Sequence, residues 1–155
     1  MFIRSAKKFH SNTALIGSDS LLISYRQLLH RASNIARKIP TRKLVFLVCS
    51  TDVDSIVAYT SLIMTDAVVL LLDVGITDEQ LTALATRYEP DYMFLPRARL
   101  LSELSKTSVA NLNEYCLTRT IYENQCDFHD DLFLLLSTSG TTGNPKLVRL
   151  SKKNV

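Results

Sequence analysis

The sequence predicts an α/β fold, a parallel sheet flanked by helices, and three observations carry that prediction. Leu44-Val-Phe-Leu-Val-Cys49 is a short apolar run without polar alternation, the pattern of a strand covered on both faces. Ala67 to Leu72 and Asp91-Tyr-Met-Phe-Leu95 read as two further strands, and helix-start signals stand between the three at Asp52 and Thr77. Strand, helix, strand, helix, strand in this order implies right-handed crossovers and parallel pairing.

Taken from the N-terminus, residues 1–12 are polar and basic and are expected to be loosely ordered. Ala14 to Ile16 and Leu21 to Ile23 flank Gly17-Ser-Asp-Ser20, which predicts a hairpin with a polar turn. Ser24-x-x-Gln27 is a capping box. It opens a helix whose apolar positions Leu28, Ala32, Ile35, Ala36 and Ile39 share one face, and Pro40 closes it. Asp52 is expected to cap a helix through Thr65 that buries Val53, Ile56, Val57 and Ile63. Thr77-x-x-Gln80 is a second capping box, for a helix through Tyr88 that Pro90 stops. Arg97 to Leu104 is expected as a short helix, and Tyr115 to Ile121 alternates as an edge strand would. Leu132-Phe-Leu-Leu-Leu136 reads as a buried strand, Leu147-Val148 as the start of another, and Ser151 to Val155 as the start of a helix.

At 155 residues, 46% of them hydrophobic, one domain with a real core is the expectation. The formal charge of +3 is slight, and the basic pairs Lys7-Lys8, Arg42-Lys43 and Lys152-Lys153 are scattered, which argues against nucleic-acid binding. Cys49, Cys116 and Cys126 show no metal-site spacing. An odd cysteine count and an N-terminus with no apolar core for secretion predict a cytoplasmic protein. The longest apolar run, Ala67 to Leu72, is too short to span a bilayer.

The most informative segment is Ser137-Thr-Ser-Gly-Thr-Thr-Gly-Asn-Pro-Lys146. Ser137, Thr138, Ser139, Thr141 and Thr142 offer five hydroxyls, each able to donate to a phosphate oxygen. Gly140 and Gly143 let the backbone approach a ligand closely, and successive N–H groups in such turns make anion-binding concavities. Pro145 stiffens the exit, and Lys146 supplies a mobile positive charge. Charge-assisted hydrogen bonds contribute about 1.5–3 kcal/mol each, so a few suffice to hold a polyphosphate. A flexible linker is the plainer reading of Ser, Thr and Gly, but linkers are seldom bounded by runs such as Leu132 to Leu136 and Leu147-Val148. The G-x-x-x-x-G-K-[ST] pattern fails here, because Pro145 stands where its second glycine belongs and Leu147 follows the lysine.

That ten-residue segment resembles the phosphate-binding signature of the adenylate-forming, AMP-binding enzymes, which include acyl-CoA synthetases and peptide-synthetase adenylation domains. One departure is Leu147, where most members carry glycine after the lysine. Ile23-Ser-Tyr-Arg-Gln-Leu-Leu29 and Leu44 to Asp73 are similar to earlier family segments, with Asp66-Ala67-Val68-Val69 standing where Ala-Gly-Ala is usual. The resemblance covers most of residues 13–155 and implies the N-terminal α/β portion of an AMP-binding domain, truncated at its C-terminal end. It implies that Thr138, Ser139, Gly140, Thr141, Thr142, Gly143 and Lys146 bind the phosphates of ATP. It also implies a parent enzyme that uses ATP and Mg2+ to join a carboxylic acid to AMP, then passes the acyl group to coenzyme A or to the phosphopantetheine of a carrier protein. The family's adenine-binding segment, magnesium-binding acid, ribose-binding aspartate and late lysine would fall beyond residue 155. The chain alone is therefore expected to be inactive, with no catalytic residue of its own.

Other candidates are weaker. Cys126, His129, Asp130 and Asp131 lack the second ligand pair a metal site needs. Asp73 leaves a predicted strand at its carboxyl end, where ligand crevices form, yet an aspartate there commonly makes a turn. Two rival readings stay open: a non-catalytic nucleotide- or partner-binding module, and a structural fragment that dimerises through exposed apolar surface.

Overall fold

The computed structural model describes residues 2–18, 20–124, 126–137 and 147–154. A helix α1 (Phe2–Lys8) precedes a hairpin of β1 (Thr13–Ile16) and β2 (Leu22–Ser24), which forms a small sheet of its own. Helix α2 (Tyr25–Ala36) follows, then β3 (Leu44–Cys49), α3 (Val53–Thr65), β4 (Val68–Asp73), α4 (Asp78–Tyr88) and β5 (Tyr92–Pro96). After a 3₁₀ turn at Arg97–Arg99 come β6 (Ser105–Asn111), β7 (Tyr115–Thr120), β8 (Leu132–Ser137) and β9 (Leu147–Ser151). Strands β3 to β9 build one sheet in the order β6-β7-β5-β3-β4-β8-β9.

The centre of that sheet is parallel, as the apolar runs predict. Strand β3 pairs in parallel with β4 and β5, and β4 with β8. Antiparallel strands finish both sides, β7 and β6 beyond β5 and β9 beyond β8. One face buries Val45, Leu47, Val69 and Phe94 against α3, and α2 packs on α3 from outside. The other face buries Phe46, Val48, Leu70 and Met93 with Leu81 and Ala85 of α4. Each fully buried Leu, Val or Phe contributes about 1.5–3 kcal/mol, so the middle strands dominate stability.

The helix starts fall where the sequence puts them. Ser24 and Thr77 each form a reciprocal capping box with Gln27 and Gln80. Asp52 caps α3 by accepting from the Ser55 N–H at 2.7 Å. Helix α3 buries Val57, Ala58 and Leu62, while Val53, Ile56 and Ile63 are half-buried against the core. Its buried polar side chains turn inward on their own helix: Thr60 donates to the Ile56 carbonyl, Ser61 to that of Ala58 and Thr65 to that of Leu62.

The N-terminal segment carries helix α1, whose Ala6 is buried. Three local expectations are corrected. Ser151 ends β9 and residues 152–153 form a turn, so no helix starts there. Arg97 to Leu104 is not a helix beyond its 3₁₀ turn; Leu101 and Leu104 instead tuck into the core on the α4 side. Tyr115 to Thr120 is an interior strand, because β6 lies outside it. The sequence of β6, Ser-Lys-Thr-Ser-Val-Ala-Asn, has no apolar alternation and carries two register shifts, features that suit an edge.

Candidate functional site

Strand β8 lies between β4 and the edge strand β9, which returns beside it, and the last pair of the β8–β9 ladder is Ser137 opposite Leu147. The nine residues 138–146 join these two positions. Thr138, Ser139, Gly140, Thr141, Thr142, Gly143 and Lys146 therefore lie outside the described residues, while both anchors of their loop are described. The anchors stand at the carboxyl edge of the parallel strands. Leu136 is level with Leu71, and Cys49 with Asp73, so β3, β4 and β8 all end on this side. In open α/β sheets the carboxyl edge is where crevices for ligands form.

The described part of the edge is a polar cluster around the β3–α3 turn. The Tyr115 hydroxyl donates to the Val48 carbonyl at 3.0 Å and stands 3.0 Å from Ser50 Oγ. Ser50 Oγ donates in turn to the Asp52 carboxylate, and the Ser50 N–H donates to Ser55 Oγ at 3.2 Å. Tyr115 comes from β7, two strands from β3 in the sheet, and its ring meets Phe94 edge-on with centroids 6.1 Å apart. Burial raises the Tyr115 pKa. Burial also raises that of Cys49; the Ser55 hydrogen bond opposes this, and the carboxylates of Asp73 and Asp52 push it higher. A protonated, shielded Cys49 thiol is a poor nucleophile. No sequence signal marks Tyr115, since its role depends on the long-range pairing of β7 with β5.

Asp73 accepts the Gly75 N–H at 2.7 Å, the local bond that defines a turn former. A Cβ at Gly75 would sit 2.9 Å from that carboxylate oxygen, so a side chain there would have to turn the Asp73 carboxylate aside. His129 serves structure: its Nδ1 accepts from the Asp131 N–H at 3.2 Å, and its carbonyl accepts from Arg42 at 2.6 Å. Arg42 also holds the Leu132 and Phe128 carbonyls, tying the loop before β8 to the start of β3. Among the described residues no group of three or more His, Cys, Asp and Glu is placed to hold a metal ion. A groove of about 1150 Å³ runs along the β8–β9 hairpin on the α4 side, lined by Tyr88, Phe128, Leu132, Leu135, Leu147 and Arg149 among others. Its Leu147 end adjoins the root of the loop.

A sheet with a parallel centre and antiparallel flanks, helices on both faces, and the anchors Ser137 and Leu147 at its carboxyl edge defines an α/β protein. The sequence matches the AMP-binding enzyme family over residues 2–155, and the chain belongs to that family. It is 25% identical to the hybrid PKS-NRPS synthetase pynA of Aspergillus niger over 98% of this chain and 4% of the synthetase. The apo structure of MatB from Rhodopseudomonas palustris superposes with a TM-score of 0.70 at 21% identity, over 93% of this chain and 32% of MatB. The O-succinylbenzoate coenzyme A synthetase MenE from Bacillus subtilis, solved with AMP, gives 0.70 at 13% identity over 98% of this chain and 42% of that one. The fold is that of the N-terminal subdomain of adenylate-forming ligases, and the chain spans well under half the length of each of these relatives.

Proposed function

We propose that the chain is the N-terminal α/β portion of an ATP-dependent ligase that activates a carboxylic acid as its adenylate, and that residues 138–146 bind the phosphates of ATP. The observation that carries this reading is the β8–β9 hairpin: its stem closes at Ser137 and Leu147 on the carboxyl edge, so the donor-rich segment starts and ends there. Family membership over residues 2–155 supports the same reading. Thr138, Ser139, Thr141 and Thr142 donate hydroxyl hydrogens, Gly140 and Gly143 let backbone N–H groups turn inward, and Lys146 neutralises charge on the leaving pyrophosphate. Donors that strengthen as charge develops on a leaving group lower the barrier to its departure. Magnesium, where bound, would neutralise the same phosphates, and its ligands are assigned outside the described residues. The parent enzyme then transfers the acyl group to a thiol, of coenzyme A or of a carrier protein.

Titration with ATP–Mg2+, followed through backbone amide resonances, tests the loop. Saturable shifts at Gly140 and Gly143, reproduced by pyrophosphate, are expected. Amides that ignore both ligands would remove the assignment.

A further inference from the structure

Helix α2 buries Leu28, Ala32 and Ile35 and leaves Arg26, His30, Asn34 and Arg37 exposed. These four stand at i, i+4, i+8 and i+11, which sets them in one stripe, within an arc of about 80° at about 100° per residue. Gln27 and Lys38 widen the exposed face on one side. The sequence of α2 holds no acid. The elements packed against it, α1, α3, β1 and β2, hold one between them, Asp54. That carboxylate is buried and accepts the Glu114 N–H at 2.8 Å. Helix α1 adds only cations, Arg4, Lys7 and Lys8. Asp19, the first acid in the chain, lies outside the described residues, and none of the ion pairs found among the described residues involves α1 or α2.

Side-chain bonds hold this stripe in place. Arg37 Nη2 donates to Asn34 Oδ1 at 2.5 Å, Asn34 Nδ2 stands 3.4 Å from His30 Nε2, and Lys38 Nζ donates to the Val109 carbonyl at 3.2 Å. Side chains ordered in advance lose less entropy when a partner docks. The helix itself gains nothing from Arg26. A cation in the first turn opposes the helix macrodipole, and no acid in that turn offsets it.

We propose that the outer face of α2 docks an acidic helix of a partner protein, with Arg26 and Arg37 meeting its carboxylates and Lys38 at the flank. Complementary charge steers and orients such pairings. Helix α2 exposes no large apolar side chain, so it has nothing to insert into a lipid interface. From Arg26 to Arg37 the stripe runs about 16 Å, the length of about three turns of a partner helix. A nucleic acid would continue past it onto net acidic surface. The first 40 residues hold seven Lys and Arg against one acid, a balance of +6, and the remaining 115 carry −3. The proposal does not depend on the ligase reading.

Fluorescence anisotropy with the purified chain tests it. The probe is a labelled alanine-based helical peptide of about 16 residues, about 24 Å long, with glutamate at every fourth position. A second peptide of the same composition scatters its glutamates around the helix. The aligned peptide should bind, more weakly as salt rises, and the scattered one several-fold less well. Arg26→Gln and Arg37→Gln together should weaken binding about tenfold, at about threefold per charge. Arg26→Lys with Arg37→Lys should retain it, and Lys153→Gln, beyond β9, should leave it unchanged. Equal affinity for the two peptides, or undiminished binding by the glutamine variant, would overturn the proposal. So would tighter binding of an oligonucleotide or of phosphatidylserine vesicles than of the aligned peptide, in favour of nucleic acid or of lipid.

Discussion

Lys146 is the residue on which the proposed chemistry leans most. Its ammonium is the one cation within residues 138–146. In a longer protein with ligase activity, Lys146→Ala should lower kcat/KM for ATP about 10- to 100-fold, the equivalent of one charge-assisted hydrogen bond. Unchanged steady-state kinetics would refute its role. Tyr115 holds the β3–α3 turn through the Val48 carbonyl and Ser50. Tyr115→Phe keeps the contact with Phe94 and loses the bond to the Val48 carbonyl, so it should cost about 1 kcal/mol in urea denaturation. The thiols and phenols also set an alkaline limit. Burial raises the pKa values of Cys49, Cys116, Tyr59 and Tyr115, so each is protonated in the folded state at a pH where the unfolded chain has begun to ionise. Their contribution is complete below the unfolded values and is lost as pH rises through the folded ones. Unfolding midpoints should therefore be insensitive to these groups near neutrality and fall above about pH 8.5, where unfolded cysteine begins to titrate. A midpoint that rises between pH 9 and 10 would contradict this.

Among the elements, helix ends give the sharpest expectations. Thr77 accepts from the Gln80 N–H, and Gln80 reaches back to the Thr77 N–H, so two donors at the start of α4 are satisfied by two side chains. Thr77→Ala should cost about 1 kcal/mol, within the range of about 0.5–2 for lost caps. Ser24→Ala should behave alike at α2, and substitutions with no effect at either position would show that solvent replaces the caps. The two boxes were legible in the sequence because a capping box is a local pattern, four residues long. Strand β6 is not legible in the sequence, and the alternation of its neighbour β7 predicts an edge instead, because a polar edge strand has no buried face to impose a period. The helix expected over Arg97 to Leu104 failed for a related reason: Leu101 and Leu104 meet helical spacing, yet a loop delivers them to the same core.

For the molecule as a whole, the proposed division of labour predicts that this polypeptide by itself gives no pyrophosphate exchange with ATP and carboxylic acids, while still showing nucleotide-dependent shifts at its loop. Turnover by the isolated chain would overturn the first half of that statement. The sequence by itself determined the parallel core and the helix starts, because each is written in contiguous residues, an apolar run or a cap, and it holds the cluster of hydroxyls and glycines on which the proposed phosphate binding rests. Only the tertiary structure decided the strand order, the support of the β3–α3 turn by Tyr115, and the bond from the Arg26 N–H to the His10 carbonyl. Those features join residues far apart in the chain or depend on where a loop delivers its side chain, and pairing across a fold follows from packing and strand registry, which no short stretch of sequence encodes.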